Sequence, residues 1–199
     1  MDSYLKKTYD TKDRFVSYWQ QINMTLGFEP TSVLVVGKGN GLIEWYLKKK
    51  VDRVVSIDID GSLQPDVVGD VRNMPFQDNE FDVALCAEVL EHLPYEDFTK
   101  SLSGLKRVAK KGIVLSLPHW GYTFKIGIKI PFLGELNKVF KLSGSKVHEY
   151  KGEHYWEIGK KGYPVKRIVQ DIEGAGYEVG HHFVEYNSPY HHFFKLLIK

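Results

Sequence analysis

The feature that most constrains this fold is a glycine-rich turn between an apolar run and an amphipathic segment. Residues 33–36 are wholly apolar, which is typical of a strand buried on both faces of a parallel sheet. Gly37, Gly39 and Gly41 follow, and residues 41–50 then predict a helix with a basic end. Only glycine lets the chain turn so tightly without a Cβ in the path of an approaching ligand. The turn is therefore expected to hold a ligand.

The rest of the chain repeats the alternation of short apolar runs and helical patterns. Strands are expected at 53–57, 65–69, 81–86 and 113–117, and helices near 4–26, 95–110 and 164–174. Two final β-rich runs, 177–186 and 191–198, are joined by residues of turn composition. Strands that alternate with helices predict an α/β fold with a Rossmann-like, doubly wound, mostly parallel sheet. The last two runs predict a C-terminal antiparallel hairpin at the sheet edge.

Length and composition limit the domain organisation and the partners. The 199 residues fit one domain, 1–199, with an N-terminal helix within 1–30 and an insertion or lid at about 119–152. A formal charge of +2 gives no reason to expect nucleic acid as a partner. Cys86 is the one cysteine, so no intramolecular disulfide is expected. Without a signal-like or membrane-spanning apolar run, we expect a cytoplasmic protein.

The spacing of the glycines and the next acidic residue narrow the kind of ligand. Dinucleotide-binding turns follow G-x-G-x-x-G, and Leu42 stands where the third glycine of that pattern would fall. A nicotinamide oxidoreductase is therefore disfavoured. Asp58 ends the next expected strand, about 20 residues after the turn, where a carboxylate can bind a ribose diol. The alternative is a solvated Asp at a strand end.

Three further motifs follow the glycine turn and Asp58 along the chain. Gly69-Asp70 is followed by Pro75-Phe76, then by Phe81-Asp82, and residues 88–94 read Glu-Val-Leu-Glu-His-Leu-Pro. With the glycine turn, this order resembles the class I S-adenosylmethionine-dependent methyltransferases of the small-molecule type, over roughly residues 33–118. The resemblance implies a seven-stranded sheet and S-adenosyl-L-methionine as cofactor, with S-adenosyl-L-homocysteine as product.

The resemblance also implies which residues hold the cofactor. It puts Gly37, Gly39 and Gly41 around the methionine end, Asp58 with Ile59 on the ribose, Asp70 with Val71 beside the adenine, and Ala87 with Glu88 flanking the methionine moiety. One departure is plain, because many members carry an acid two residues before the first glycine and this chain has Val35. The family's usual contact to the ammonium group is therefore missing.

Candidate catalytic residues come from the segments that hold the acceptor in resembling proteins, here 9–19, 118–122 and 153–157. His119 and His154 are the candidate bases, with an ordinary loop or core residue as the alternative for each. Glu88 and His92 would share a face if they were helical. The pairs His181-His182 and His191-His192 fall on expected edge strands, where neighbouring side chains point to opposite faces. No metal site is therefore expected, and Cys86 is assigned no chemistry.

Residues 124–142 mix bulky apolar side chains with lysines. This composition suits a lid over an apolar acceptor or a peripheral membrane contact, although a packed insertion with solvated lysines is the simpler interpretation. The sequence thus predicts a methyltransferase that acts on a small molecule, including an apolar or lipid-like one. The alternative is a non-catalytic cofactor-binding or protein-interaction module on the same fold.

Overall fold

A seven-stranded sheet forms the centre of the computed structural model, which describes residues 8–132 and 134–198. The helices are α1 (Lys12–Leu26), α2 (Leu42–Leu47), α3 (Phe98–Val108) and α4 (Val165–Gly174). The strands are β1 (Ser32–Val36), β2 (Arg53–Asp58), β3 (Val67–Val68), β4 (Phe81–Ala87), β5 (Ala109–Pro118), β6 (Tyr122–Ile130), β7 (Gly134–Leu142), β8 (Tyr177–Val184) and β9 (His191–Ile198).

The order of strands across the large sheet is β3-β2-β1-β4-β5-β9-β8. The first five strands run parallel, whereas β9 is antiparallel to β5 and β8 is antiparallel to β9. This topology confirms the expected α/β fold with a Rossmann-like, mostly parallel seven-stranded sheet and a C-terminal antiparallel hairpin. The strand order reverses at β1, so the carboxyl ends of β1 and β4 border the crevice where open α/β sheets bind ligands.

Two apolar layers bury the sheet, one on each face. Leu34 and Val36 of β1 pack into the layer that holds the inner faces of α3 and α4. Val33 and Val35 point to the opposite layer, which contains Met24 of α1 and Leu47 of α2. Because both faces of β1 are covered, its sequence is continuously apolar rather than alternating. The burial of β1 fixes the position of the turn that follows it.

Several element boundaries differ from the prediction. The expected helix 95–110 is shorter, because Ala109 already pairs with Phe81 of β4 and Gly112 pairs with both Val83 and Leu197. Strand pairing therefore outweighs the helical pattern of residues 109–112. At the N-terminus α1 begins at Lys12, where the Thr11 side chain accepts a hydrogen bond from the Arg14 amide. Residues 4–7 of the expected helix lie outside the described part of the chain.

The position of the last strand, β9, differs from the prediction. We expected His191 and His192 on an edge strand, but β9 lies between β5 and β8, and β8 forms the edge. The hairpin enters the sheet with its second strand inward, a choice that a local pattern does not encode. Both His191 and His192 are consequently buried.

The segment after β5 forms a separate two-stranded antiparallel sheet of β6 and β7. Directly paired residues share a face, and apart from Lys138, which pairs with Ile126, one face is apolar and exposed: Tyr122, Phe124, Ile126, Ile128, Ile130, Leu136, Phe140 and Leu142. Lys125, Lys129 and Lys141 occupy alternate positions on the other face. We call residues 122–142 the hairpin. Among the described helices, none has the length and apolar character needed to cross a membrane.

Candidate functional site

A cavity of about 370 Å³ opens at the carboxyl ends of β1, β2 and β4. Eight of the residues expected to bind a cofactor line it, namely Gly37, Gly39, Asp58, Ile59, Asp70, Val71, Ala87 and Glu88. The ninth, Gly41, does not line the cavity but caps the N-terminus of α2. The cavity therefore joins segments that lie far apart in the sequence, as a ligand site in an open α/β sheet requires.

The turn after β1 depends on its glycines. Gly37, Gly39 and Gly41 all have positive φ values, of 83°, 54° and 76°. A Cβ on Gly37 would lie 2.4 Å from Cγ2 of Val89, a distance that real side chains do not reach. The cavity wall therefore needs a residue without a side chain at position 37.

Asp58 is held in place by the turn that it faces. One carboxylate oxygen accepts a hydrogen bond from the Lys38 amide at 2.7 Å, and the other accepts one from the Asp60 amide at 2.9 Å. An ionised carboxylate has about four acceptor directions, so both oxygens can still receive a hydroxyl group. The geometry fits the cis-diol of a ribose.

Asp70 also lines the cavity, and Arg72 keeps its carboxyl group ionised. The Arg72 amide and guanidinium both donate to the Asp70 carboxylate, and the same guanidinium donates to Asp97 at 3.0 Å. These hydrogen bonds to Arg72 lower the pKa of Asp70. A fixed negative acceptor at this position suits an amino group on a bound base.

Position 35 contributes nothing polar to the cavity. Val35 is buried and packs in the layer with Met24 and Leu47. Polar groups reach the cavity from α1 instead, where Arg14, Ser17 and Gln21 line its wall. Lys38 and Asn40 of the glycine turn also line the cavity, so a charged ligand end can meet polar side chains without an acid at position 35.

Glu88 and His92 do not pair as expected from their spacing. Glu88 has a φ of 55°, and only residues 90–92 form a short 3₁₀ turn, so the two side chains do not share a helical face. Glu88 instead lies against His191, with Oε2 to Nε2 at 3.2 Å. Burial raises the pKa of Glu88, but its contacts with His191 and the Ser116 hydroxyl outweigh that effect and hold the pKa below its ordinary value.

His191 also contacts α1 through its other ring nitrogen. Nδ1 of His191 lies 2.6 Å from the Ser17 hydroxyl, and Ser17, His191 and Glu88 all line the cavity. Glu88 holds the proton on Nε2, which leaves Nδ1 as the acceptor for the Ser17 hydroxyl. The imidazole of His191 is therefore held in one orientation, and its Nδ1 lone pair faces the Ser17 hydroxyl of α1.

The two histidines expected as bases lie outside the lining of this cavity. His119 is buried behind β5, where Nδ1 lies 3.0 Å from Nδ1 of His192, and burial lowers its pKa to about 4. His154 lines a second cavity of about 210 Å³ together with Glu157. His154 contacts His92, whose ring lines the large cavity, with ring centroids 4.9 Å apart.

Residues 34–117 match a family model described as a methyltransferase domain. No curated protein matches the sequence. The matched range contains the glycine turn and the strands that carry Asp58, Asp70 and Glu88.

Solved structures similar to the whole chain extend the likeness beyond residues 34–117. A S-adenosylmethionine-dependent methyltransferase from Aquifex aeolicus is 22% identical, with a TM-score of 0.62, and the match covers 97% of this chain and 96% of that one. An N-methyltransferase from Bradyrhizobium japonicum, solved with S-adenosylhomocysteine, is 10% identical with a TM-score of 0.63, covering 99% and 95%. The 1,6-didemethyltoxoflavin-N1-methyltransferase of Burkholderia thailandensis is 11% identical with a TM-score of 0.61, covering 92% and 78%.

At identities of 10 to 22%, these solved structures show that the chain shares the fold of these methyltransferases. The cavity in this fold has a glycine wall and the carboxylates of Asp58 and Asp70.

Ser17, Gln21 and His191 line the cavity from outside residues 34–117, and of these three only Ser17 falls in a segment expected to hold the acceptor, 9–19. Ser17 and Gln21 belong to α1, and His191 begins β9. The pair His191-His192 was noticed but set aside because β9 was expected at the edge of the sheet. Gln21 carries no motif, and only the lining of the cavity in the folded chain shows that it faces this site.

Proposed function

We propose that this enzyme transfers the methyl group to a small-molecule acceptor and that Glu88, His191 and Ser17 form the acceptor end of its cavity. The observation that carries this proposal is the continuity of the cavity, whose lining runs from Asp70 through the glycine turn to His191. An acceptor near His191 would therefore share one space with the cofactor.

We infer the cofactor contacts from the lining of the same cavity. Gly37 and Gly39 would surround the methionine end, with Ala87 and Glu88 beside it, whereas Gly41 would act only by shaping the turn. Asp58 and Ile59 would bind the ribose, and Asp70 and Val71 the adenine. The hydrogen bonds from the Lys38 and Asp60 amides hold the Asp58 carboxylate in position before the ligand arrives. Such preorganisation lowers the entropy cost of binding.

The chain's own residues supply positioning and a base. When bound, the cofactor provides an electrophilic methyl group and leaves as S-adenosyl-L-homocysteine. The cavity walls would hold the acceptor atom in line with that group, which supplies much of the acceleration in such a displacement. If the acceptor is a hydroxyl or amine, the Ser17 hydroxyl would take its proton and pass its own proton to Nδ1 of His191, and Glu88 would stabilise the resulting imidazolium through Nε2.

A labelled-methyl assay tests the proposal and separates it from the non-catalytic alternative. The protein is incubated with methyl-labelled S-adenosylmethionine and a panel of small hydroxyl, amine and carbon acceptors. We expect labelled product and an equal amount of S-adenosylhomocysteine with at least one acceptor class. Binding of the cofactor without turnover across the panel would favour a cofactor-binding or protein-interaction module.

The exposed apolar face of the hairpin favours a second, more specific candidate. We propose that residues 122–142 serve as a lid or membrane contact for an apolar or lipid-like acceptor. Eight apolar side chains share this face, and Phe132 at the tip is fully exposed. Paired Phe124 and Phe140 would enter the lipid while Lys125 and Lys129 contact anionic headgroups.

Flotation with anionic phospholipid vesicles checks this candidate. The protein should float with the vesicles, and the double variant Phe124→Ser/Phe140→Ser should stay at the bottom of the gradient. Trp45→Ser removes an equally exposed aromatic side chain from α2 and should float like the parent protein. If the parent protein does not float, or the double variant floats equally well, the hairpin does not bind membranes.

A further inference from the structure

Glu91 is a buried carboxyl group without a hydrogen-bond partner. The residue lies in the short 3₁₀ turn 90–92 after β4 and is completely inaccessible to solvent. Neither carboxyl oxygen has a partner among the described residues. Burying a polar group without a partner costs free energy. Burial and the nearby Glu88 carboxylate also raise the pKa of Glu91, so a bound cation is what would hold this carboxyl group ionised. The unpartnered oxygens therefore point to a ligand that they hold.

Two histidines present nitrogens to the same place. One ligand atom each from Glu91, His92 and His154 lies within 4.8 Å of the other two. Nε2 of His92 is 4.0 Å from Oε1 of Glu91, and the rings of His92 and His154 meet edge to face. Ligands of a shared metal lie about 3 to 3.5 Å apart when each bond is about 2.0 to 2.2 Å long. Small side-chain rotations bridge the difference.

The hydrogen bonds of both histidines leave the correct nitrogen unprotonated. Nδ1 of His92 donates to the Glu153 carbonyl oxygen at 3.0 Å, because a carbonyl only accepts. Nδ1 of His154 is 3.0 Å from a carboxylate oxygen of Glu157. In each ring the lone pair therefore remains on Nε2. Metal-binding histidines show this same pattern, in which a carbonyl or carboxylate orients the ring.

The backbone holds the two contributing segments together independently of any ligand. The Tyr155 amide donates to the Glu91 carbonyl oxygen at 2.8 Å, and the Trp156 indole donates to the Leu93 carbonyl oxygen at 3.1 Å. Trp156 is fully buried, so this contact anchors the 153–157 loop against the turn after β4. The three side chains thus sit on a fixed frame, as a metal site requires.

We propose that Glu91, His92 and His154 bind one divalent transition-metal ion, for which Zn²⁺ is the best match. Two imidazole nitrogens and one carboxylate oxygen are ligands that suit zinc, and three protein ligands leave a coordination position open. The ion gives the buried Glu91 oxygens the partner that the chain does not provide. Because His92 also lines the large cavity, the ion lies at its wall. These ligands differ from the histidine pairs that the sequence analysis considered for metal.

Metal titration of chelator-treated protein tests the site without reference to methyl transfer. Calorimetry with Zn²⁺ should show one ion per chain, and Co²⁺ should give visible absorption bands from the bound ion. His92→Ala and His154→Ala should each weaken Zn²⁺ binding at least tenfold. Glu157→Gln, which removes only the orienting carboxylate, should weaken it by about 10- to 100-fold. Mg²⁺ should not compete, because it prefers an all-oxygen octahedral site.

His181→Ala is the matched control, because it removes an exposed histidine from β8. It should bind Zn²⁺ as the parent protein does, and all variants should keep the parent's unfolding midpoint in chelator. Saturating Zn²⁺ should raise that midpoint for the parent and His181→Ala but not for His92→Ala. The proposal is overturned if no stoichiometric Zn²⁺ binds, or if His92→Ala and His154→Ala bind it as tightly as His181→Ala does.

Discussion

Nε2 of His191 lies 3.2 Å from Oε2 of Glu88, so this contact joins the first residue of β9 to the residue that follows β4 at the wall of the large cavity. Two residues far apart in the chain meet there because β9 inserts between β5 and β8. The pair orients an imidazole whose other nitrogen contacts Ser17. In our account, this imidazole is the base for methyl transfer to a hydroxyl or amine.

Replacing His191 should separate catalysis from cofactor binding. His191→Gln removes the base and keeps a polar side chain, so we expect the rate to fall about 100- to 10,000-fold. The affinity for S-adenosylhomocysteine should change little. His181→Gln, on the exposed strand β8, should retain the parent rate. Steady-state kinetics with the acceptor found by the labelled-methyl assay makes the comparison, and an unchanged rate in His191→Gln would exclude this base.

Gly37 lies so close to Val89 that even a methyl group added at position 37 would clash with it and disturb the cavity wall. Gly37→Ala should destabilise the protein by at least about 1 to 2 kcal/mol, the cost of a left-handed residue. The clash with Val89 should also reduce S-adenosylhomocysteine binding.

Gly162→Ala is the matched control for this change. Gly162 has a similar φ of 90°, but nothing lies within 4 Å of an added Cβ. Its variant should lose stability from the backbone alone and keep its ligand affinity. Urea unfolding and calorimetry on both variants measure the two effects. Equal loss of affinity in both would show that the Val89 contact has no part in binding.

His119 and His192 are buried against each other, and we expect the protein to lose stability in mild acid because of them. Burial lowers the pKa of His119 to about 4 and that of His192 to about 2, from an ordinary value of 6.5. The unfolded chain therefore takes up protons at a higher pH than the folded protein does. As a result, the free energy of unfolding falls as the pH drops below about 6.5, the ordinary pKa of histidine.

Between pH 7 and pH 5 each of these histidines should remove about 2 kcal/mol from the free energy of unfolding. Urea unfolding at several pH values measures this slope. His192→Phe keeps an aromatic ring beside Phe194 and removes one titrating group. The slope of its unfolding free energy against pH should therefore be smaller than the parent's by the contribution of one proton. Equal slopes in the two proteins would mean that His192 is protonated in the folded state.

The local parts of the fold could be predicted because each depends on a short stretch of sequence. The apolar run of β1, the glycines after it and the carboxylate at the end of β2 lie where their pattern indicated. A buried strand and a tight turn are determined by burial and by the absence of a Cβ, and both effects act on neighbouring residues.

The remaining parts depend on contacts between distant segments. Nothing in residues 191–198 shows that this strand lies inside the sheet, so the position of His191 could not be derived. The convergence of Glu91 and His154 likewise depends on the hydrogen bond between Tyr155 and Glu91. Glu88 and His92 would share a face on a helix, but the positive φ of Glu88 prevents that geometry. Tertiary contacts decided each case.

The central claim is that the large cavity binds S-adenosylmethionine through Asp58, and calorimetry with S-adenosylhomocysteine tests it most directly. The parent protein should bind one ligand per chain, and Asp58→Ala should bind it at least tenfold more weakly because the ribose loses its carboxylate. Asp52→Ala removes an exposed acid that lies outside the cavity and should bind like the parent. No binding at millimolar ligand, or equal affinity in Asp58→Ala and the parent, would contradict the account.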